Sequence, residues 1–398
     1  MTIAHTRSTS RNDGIRDHDD RGHDDHDHHD HDHDDRDVDD AVARIIEPFR
    51  HERRIPGVSI AIADSNGLRH ASASGVADIR SGRPATPETS YLWFSLTKIV
   101  TATAAVQLAD EGRLDLDEPI SRYFPSVSAA RASSTPRVGQ LLNHTAGIAN
   151  PLPLRWVRPA AATPRSSHDF VARILGDRKV ITHPVGATAR YSNLGYLLLG
   201  EIISAASGQP FESYVRDAIL EPCGMHHTGF AHHPDREPAT GYVKLPRALG
   251  SVVARLLPPD IVGEQHGRHR AFRPFYVEGA SYGGLVGDVI DASRIVSLHL
   301  GDGTFGGQRL MSATAARQMR QITTTGRTYD LGQGWYRSPD HRSGVDSYVE
   351  HLGGGGGFFN VMRIYPESGI GIVMMSNTTT RFPHHDLLEE LRGVASPR

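Results

Sequence analysis

Ser95-Leu96-Thr97-Lys98 is the stretch of this 398-residue chain that could do the most chemistry. A serine hydroxyl is a poor nucleophile until a base takes its proton. Lysine can be that base when desolvation or nearby positive charge lowers its pKa. Positions i and i+3 of a helix share a face, so this spacing brings the amine to the hydroxyl. A helix starting at the serine also turns backbone N–H groups toward a developing oxyanion. Lysine is scarce, at Lys98, Lys179 and Lys244, and no other Ser-x-x-Lys occurs.

Two further candidates compete. Gly279-Ala280-Ser281-Tyr282-Gly283 fits a G-x-S-x-G elbow, which needs a strand before it and a helix directly after it. The preceding RHRAFRPFYVE contains Pro274 and no clean buried strand, and the next helix starts late, so a glycine turn is expected. Cys223, in EPCGM, is read as a small buried hydrophobe rather than a nucleophile.

Several elements must position the serine. A helix is expected over AVARIIEPFRHERR from near Val42, followed by a strand VSIAIAD ending at Asp64. Ser65-Asn66-Gly67 is a hairpin turn leading to LRHASASGVAD. SLTKIVTATAAVQLADEG reads as a helix that stops near Gly112. Residues 115–280 read as helical patches and long loops, clearest in VGQLLNHT, LGYLLLGEIISAASG and FESYVRDAIL. A helix over 288–300 comes next. Then come the strands LGQGWYR, SYVEHLG, GFFNVMRIYP and GIGIVMMSN, with a turn at Glu367-Ser368-Gly369, and a closing helix in HHDLLEELRGV. The expected fold class is α+β: an antiparallel sheet flanked by helices, from about 41–95 and 285–398, with an inserted, mostly helical lobe over about 96–284.

Composition narrows the function classes. With 38% hydrophobic residues the chain can bury a large core. No run of about 18 apolar residues suggests a membrane-spanning helix. The start, MTIAHTRSTSRNDG, has no apolar segment of the secretory kind, and one cysteine excludes an internal disulfide framework. A cytoplasmic enzyme is the simplest expectation. Asp17 to Asp40 carries −11 with histidine neutral, which leaves +8 on the remainder of a chain of net charge −3. That remainder shows no basic and aromatic stripe of the kind nucleic acid needs. The low-complexity HDDRGHDDHDHHDHDHDDRD has little to bury, so residues 1–40 are expected to be disordered. Its imidazoles and carboxylates could chelate zinc or nickel weakly, against the entropy of ordering the tail. No cofactor is called for.

Two more groups stand downstream of Ser95 and Lys98. Tyr191-Ser192-Asn193 comes just before a helix, and His351-Leu352-Gly353 opens a glycine run that continues through Gly354. Taken alone, the first is a helix-capping turn and the second a wet strand. Asn143-His144-Thr145 reads as a structural turn. Ser-x-x-Lys, Tyr-x-Asn and His-x-Gly in this order resemble the serine β-lactamase and penicillin-binding protein superfamily, of the class C β-lactamase, DD-peptidase and related esterase type. IPGVSIAIAD, GQLLNHTAGI, YSNLGYLLLGEIIS, ILEPCGM, GGLVGDVIDASRIV and GQGW agree with it, over about residues 42–380.

The resemblance implies a β-lactamase/transpeptidase-like fold and roles for particular residues. Ser95 would form the acyl-enzyme. Lys98, alone or with Tyr191, would take the serine proton. Tyr191 would relay a proton to the leaving group, more easily if an ammonium lowers its own pKa. Asn193 would bind a substrate amide or carbonyl. The N–H groups of Ser95 and Gly354 would form the oxyanion hole, with Gly353 and His351 beside them. The third motif departs from the Lys-Thr-Gly of β-lactamases: His351 would supply charge only when protonated, and Leu352 has no hydroxyl. A serine hydrolase acting on a small ester, amide or peptide is therefore expected. The alternatives are a true β-lactamase or DD-peptidase, a binding protein of this fold without turnover, and a metal-sequestering protein.

Overall fold

Alternation along VSIAIAD assigns its residues to two buried faces, and two helical layers cover them. The computed structural model describes residues 28–127, 135–153, 155–176, 180–244, 258–326, 328–338, 347–380 and 382–395. Its main sheet has seven antiparallel strands: β1 Gly57–Asp64, β2 Gly67–Gly75, β3 Asp330–Leu331, β4 Tyr336–Arg337, β5 Val349–Gly355, β6 Phe358–Tyr365 and β7 Ile370–Ser376. Their order is β3-β4-β5-β6-β7-β1-β2, so the two ends of the sequence meet where Val58 to Ala63 pair Ser376 to Gly371.

Six helices support the sheet and the site: α1 His28–Arg53, α2 Thr97–Asp110, α3 Asn193–Ser207, α4 Ala280–Gly283, α5 Val289–Leu300 and α6 His385–Ala395. Ile60, Ile62, Ile372 and Met374 bury against Val42 and Ile46 of α1 and Leu388 and Leu391 of α6. Ala61, Ala63, Val373 and Met375 face the other way, into a core shared with Val296 of α5. Helix α2 is buried from Thr97 to Leu108, which its Ala- and Val-rich sequence permits on every side. That burial fixes the environment of Lys98.

Three expectations change. Helix α1 begins at His28, inside the stretch expected to be disordered. Val42, Ile46 and Phe49 anchor it, and extending an anchored helix needs no new nucleus. Residues 1–27 of the His/Asp tail lie outside the described residues. RHRAFRPFYVE does form strands, two short ones: His269–Phe272 joins a three-stranded sheet with Tyr242–Lys244 and Val262–His266, while Phe275–Val277 pairs Val157–Pro159. Pro274 has no N–H to continue one ladder, so the two halves take different partners. LGQGWYR is split into β3 and β4 by a turn in which Gly334 (φ +81°) packs beneath α2. Among the described residues no helix is long and apolar enough to cross a membrane, and no group of three or more metal-binding side chains converges.

Candidate active site

Ser95 sits in a single 3-10 turn, Phe94–Leu96, that runs directly into α2. The turn is pinned from both sides. Trp93 donates its N–H to the Leu285 carbonyl (2.9 Å), and Asn360 of β6 donates its amide to the Leu92 carbonyl (2.9 Å). Phe94 is left-handed (φ +49°), a conformation that costs a non-glycine residue about 1–3 kcal/mol. Strand β5 makes that possible by lacking side chains. A Cβ on Gly355 would overlap the Phe94 ring, and one on Gly353 would overlap the Trp93 carbonyl. A Cβ on Gly354, between them, would make only an ordinary contact with Phe359 at 3.8 Å. Gly353→Ala is therefore expected to displace the turn and lower kcat/KM by about 10²-fold or more. Gly354→Ala should stay within a few-fold of wild type. Parallel kinetics on the two variants, with circular dichroism to verify folding, checks this.

Lys98 is fully buried, and its Nζ has three oxygen neighbours: Ser95 Oγ at 3.2 Å, Asn193 Oδ1 at 2.9 Å and the Tyr282 carbonyl at 2.7 Å. A neutral amine has two N–H groups and one lone pair. Asn193 Oδ1 and the Tyr282 carbonyl oxygen can only accept, so they take the two N–H groups and leave the lone pair for the Ser95 hydroxyl. Burial holds the Lys98 pKa well below its usual 10.5. After proton transfer the ammonium has all three donors matched, and the rings of Tyr191, Tyr196 and Tyr282 lie 5.0, 5.5 and 5.2 Å from it. The Tyr282 carbonyl comes from the G-x-S-x-G stretch. Where the sequence predicts a glycine turn, that stretch forms the short helix α4, with Ser281 buried against Gly200 of α3.

Tyr191 approaches from the residue pair preceding α3, which Ser192 caps by accepting the Gly195 N–H (3.0 Å). Its ring packs on His144 (centroids 4.6 Å), whose Nδ1 accepts the Ser192 N–H (3.1 Å). His144 is thus more than part of a plain turn: it shapes the floor under Tyr191. Burial pushes the Tyr191 hydroxyl up from its usual 10.0, opposed by a hydrogen bond to Ser95. The resting phenol therefore keeps its proton, against the expectation that an ammonium lowers it. His351 is buried in β5, and its Nδ1–H donates to the Gly334 carbonyl (2.6 Å). Its Nε2 faces the Tyr191 hydroxyl at 3.5 Å. Burial, and then Lys98, push the His351 pKa down to about 3. This histidine is neutral at pH 7 and supplies no charge.

In front of Ser95 lies a cavity of about 140 Å³. Its walls include Phe94, Phe272, Phe275 and Tyr282, with Pro153, Val157, Ile261 and Val277, while Ser95, Asn193 and Gly354 to Gly356 bring polar groups. No charged side chain is among the described residues that line it. His351 and Gly353 lie behind this surface. The N–H of Leu352 reaches the Tyr336 hydroxyl (2.7 Å), away from β6. N–H directions alternate along a strand, so Gly354, two residues on, also aims its N–H away from β6, on the cavity side. Gly354 and Ser95 thus both border the space where a carbonyl oxygen would sit. Cys223 is buried elsewhere with its thiol pushed up to about 12, which keeps it protonated.

An antiparallel sheet carrying a serine beside a buried lysine, with a tyrosine and an asparagine at the same amine, is the arrangement of serine hydrolases that have lysine in place of histidine. The chain belongs to the Beta-lactamase family, whose family model matches residues 42–395. Penicillin-binding protein 4 of Amycolatopsis lactamdurans is 28% identical over 383 residues, covering 88% of this chain and 90% of that protein. The octameric penicillin-binding protein homologue from Pyrococcus abyssi superposes with a TM-score of 0.70 at 24% identity, over 89% of this chain and 76% of that one. The D-amino acid amidase from Ochrobactrum anthropi SV3, complexed with L-phenylalanine amide, gives 0.71 at 22% identity, over 90% and 98%. At these identities the two structures establish a shared fold.

Proposed function

We propose that the chain hydrolyses an uncharged ester or amide of a short, apolar carboxylic acid through an acyl-enzyme on Ser95. The observation that carries this reading is the lining of the cavity: apolar and aromatic, with a neutral histidine where a carboxylate-binding lysine would stand. Neutral Lys98 takes the Ser95 proton as Oγ attacks the carbonyl carbon. The N–H groups of Ser95 and Gly354 receive the oxyanion. Lys98, now an ammonium, returns the proton through Tyr191 to the leaving alkoxide or amine, and water repeats the sequence on the acyl-enzyme. His351 Nε2 lies 3.5 Å from the Tyr191 hydroxyl and can accept its hydrogen bond whenever Tyr191 is not donating to Ser95. A single buried cysteine needs no oxidising compartment, which suits action in the cytoplasm.

Binding a substrate carboxylate in an uncharged pocket is unfavourable, because the anion loses hydration without a partner. p-Nitrophenyl acetate or butyrate should therefore be cleaved with kcat/KM at least about 10²-fold above nitrocefin or a D-Ala-D-Ala peptide. The reverse ranking would assign the site to β-lactams or cell-wall peptides.

A further inference from the structure

The active cavity has a neighbour. A second space of about 50 Å³ lies beyond it, bordered by Leu92, Ala239 and Phe358, with His232, Thr240 and Arg273 adding polar groups. Phe272 and Phe275 line both spaces. The Phe275 ring stands between Phe94 (centroids 6.4 Å) on the Ser95 side and Phe272 (5.9 Å), and Phe94 in turn lies 6.2 Å from Phe358 of the second space. The Phe275 ring tip also reaches the Gly356 edge of the active cavity, 3.3 Å from where a Cβ would be. Phe275 and Phe272, the latter 3.4 Å from the same point, therefore close the far end of the acyl site together, and Phe275 is the one whose ring packs on Phe94 at the Ser95 side. At about 140 Å³ the open part is well below the roughly 300 Å³ of an ordinary small-molecule pocket.

The geometry points to Phe275 as the residue that limits acyl chain length, with the space beside Ala239 as a cryptic extension of the same site. This rests on the ester-hydrolase reading of the Ser95 cavity. Short acyl chains fit in front of the ring, and longer ones meet it. Removing the Phe275 ring opens the partition toward the Leu92, Ala239 and Phe358 side of the second space. Each methylene that gains a fitting apolar pocket changes kcat/KM by about tenfold or more.

The test is a p-nitrophenyl ester series from acetate to octanoate, run on wild type, Phe275→Ala, Phe275→Leu and the double variant Phe275→Ala/Ala239→Leu. Wild type is expected to favour acetate or butyrate. Phe275→Ala should raise the octanoate-to-acetate ratio of kcat/KM by about tenfold or more. Refilling the far space in the double variant should take most of that gain back. Phe275→Leu keeps more of the strand's packing and should move the ratio in the same direction by less. A ratio that stays flat in both single variants, or a gain that survives in the double variant, overturns the proposal, as does a wild type that already prefers octanoate. If wild type cleaves no ester, the ester reading fails. The partition is then read from labelling rates with ethyl and octyl fluorophosphonates, where the same ratios apply.

Discussion

Lys98→Met should lower kcat/KM for ester hydrolysis by about 10³-fold or more while the protein stays folded. Methionine fills a similar space and removes the amine that stands 3.2 Å from Ser95 Oγ. Fold retention is expected because wild type already keeps this amine in a site that disfavours its charge. The pH profile separates a base from a packing residue. Lys98 acts when neutral, so kcat/KM should rise with pH through the depressed lysine pKa and then level off, with the acid limb well below the usual 10.5. His351 titrates near 3 and adds no limb in the neutral range. A Lys98→Met enzyme that retains wild-type kcat/KM would remove lysine from the mechanism, and a rate that first rises only near pH 10 would contradict its depressed pKa. Ser95→Ala should be silent to a fluorophosphonate probe, whereas Ser281→Ala should label normally.

The second large effect concerns stability. Arg363 of β6 is fully buried and donates to Glu350 of β5 through Nη2 (2.7 Å) and Nε (3.0 Å). His384 shares the same carboxylate oxygen at 3.3 Å, and the Tyr348 ring lies 4.0 Å from the guanidinium. Arg363→Met leaves the Glu350 carboxylate buried beside a methionine and is expected to cost about 3–5 kcal/mol, read as a lower urea midpoint. Adding Glu350→Gln should restore much of the loss, because the uncompensated charge is gone. Additive losses in the double variant would count against the pair.

The same groups set the acid limit. Burial alone would raise Glu350, but Arg363 and His384 hold it at about 2, below its usual 4.5. Its stabilisation is present above pH 4.5 and is lost as pH falls toward 2. His232, His299 and His351 are held neutral by burial, at about 4, 3 and 3. The unfolded chain protonates its histidines from about pH 6.5 downward, so stability should begin to fall there and fall steeply below 4.5. Thermal melts between pH 8 and 3 measure it. A melting temperature that is flat across that range would contradict the buried, neutral state of these side chains.

Much of the fold was legible in the sequence. Alternation in VSIAIAD, the hairpin turns and the periodic helices gave the antiparallel sheet and its helical cover, because local patterns record which face is buried. Boundaries failed where a distant partner decides them. Pro274 divides one segment between two sheets, and the anchored end of α1 carries the helix back to His28.

At the site, the sequence by itself determined the Ser95–Lys98 spacing and the order in which Tyr191, Asn193 and the glycine strand arrive. Helix periodicity and strand alternation act over a few residues, so these are readable from a string. Only the tertiary structure decided the protonation of Lys98, the neutrality of His351 and the tightness of the acyl site. Each depends on groups far along the chain: the Tyr282 carbonyl that helps aim the amine, the Gly334 carbonyl that fixes the histidine tautomer, and the Phe94, Phe272 and Phe275 rings that crowd the cavity. Desolvation and packing are sums over all neighbours in space, and no local pattern carries that sum.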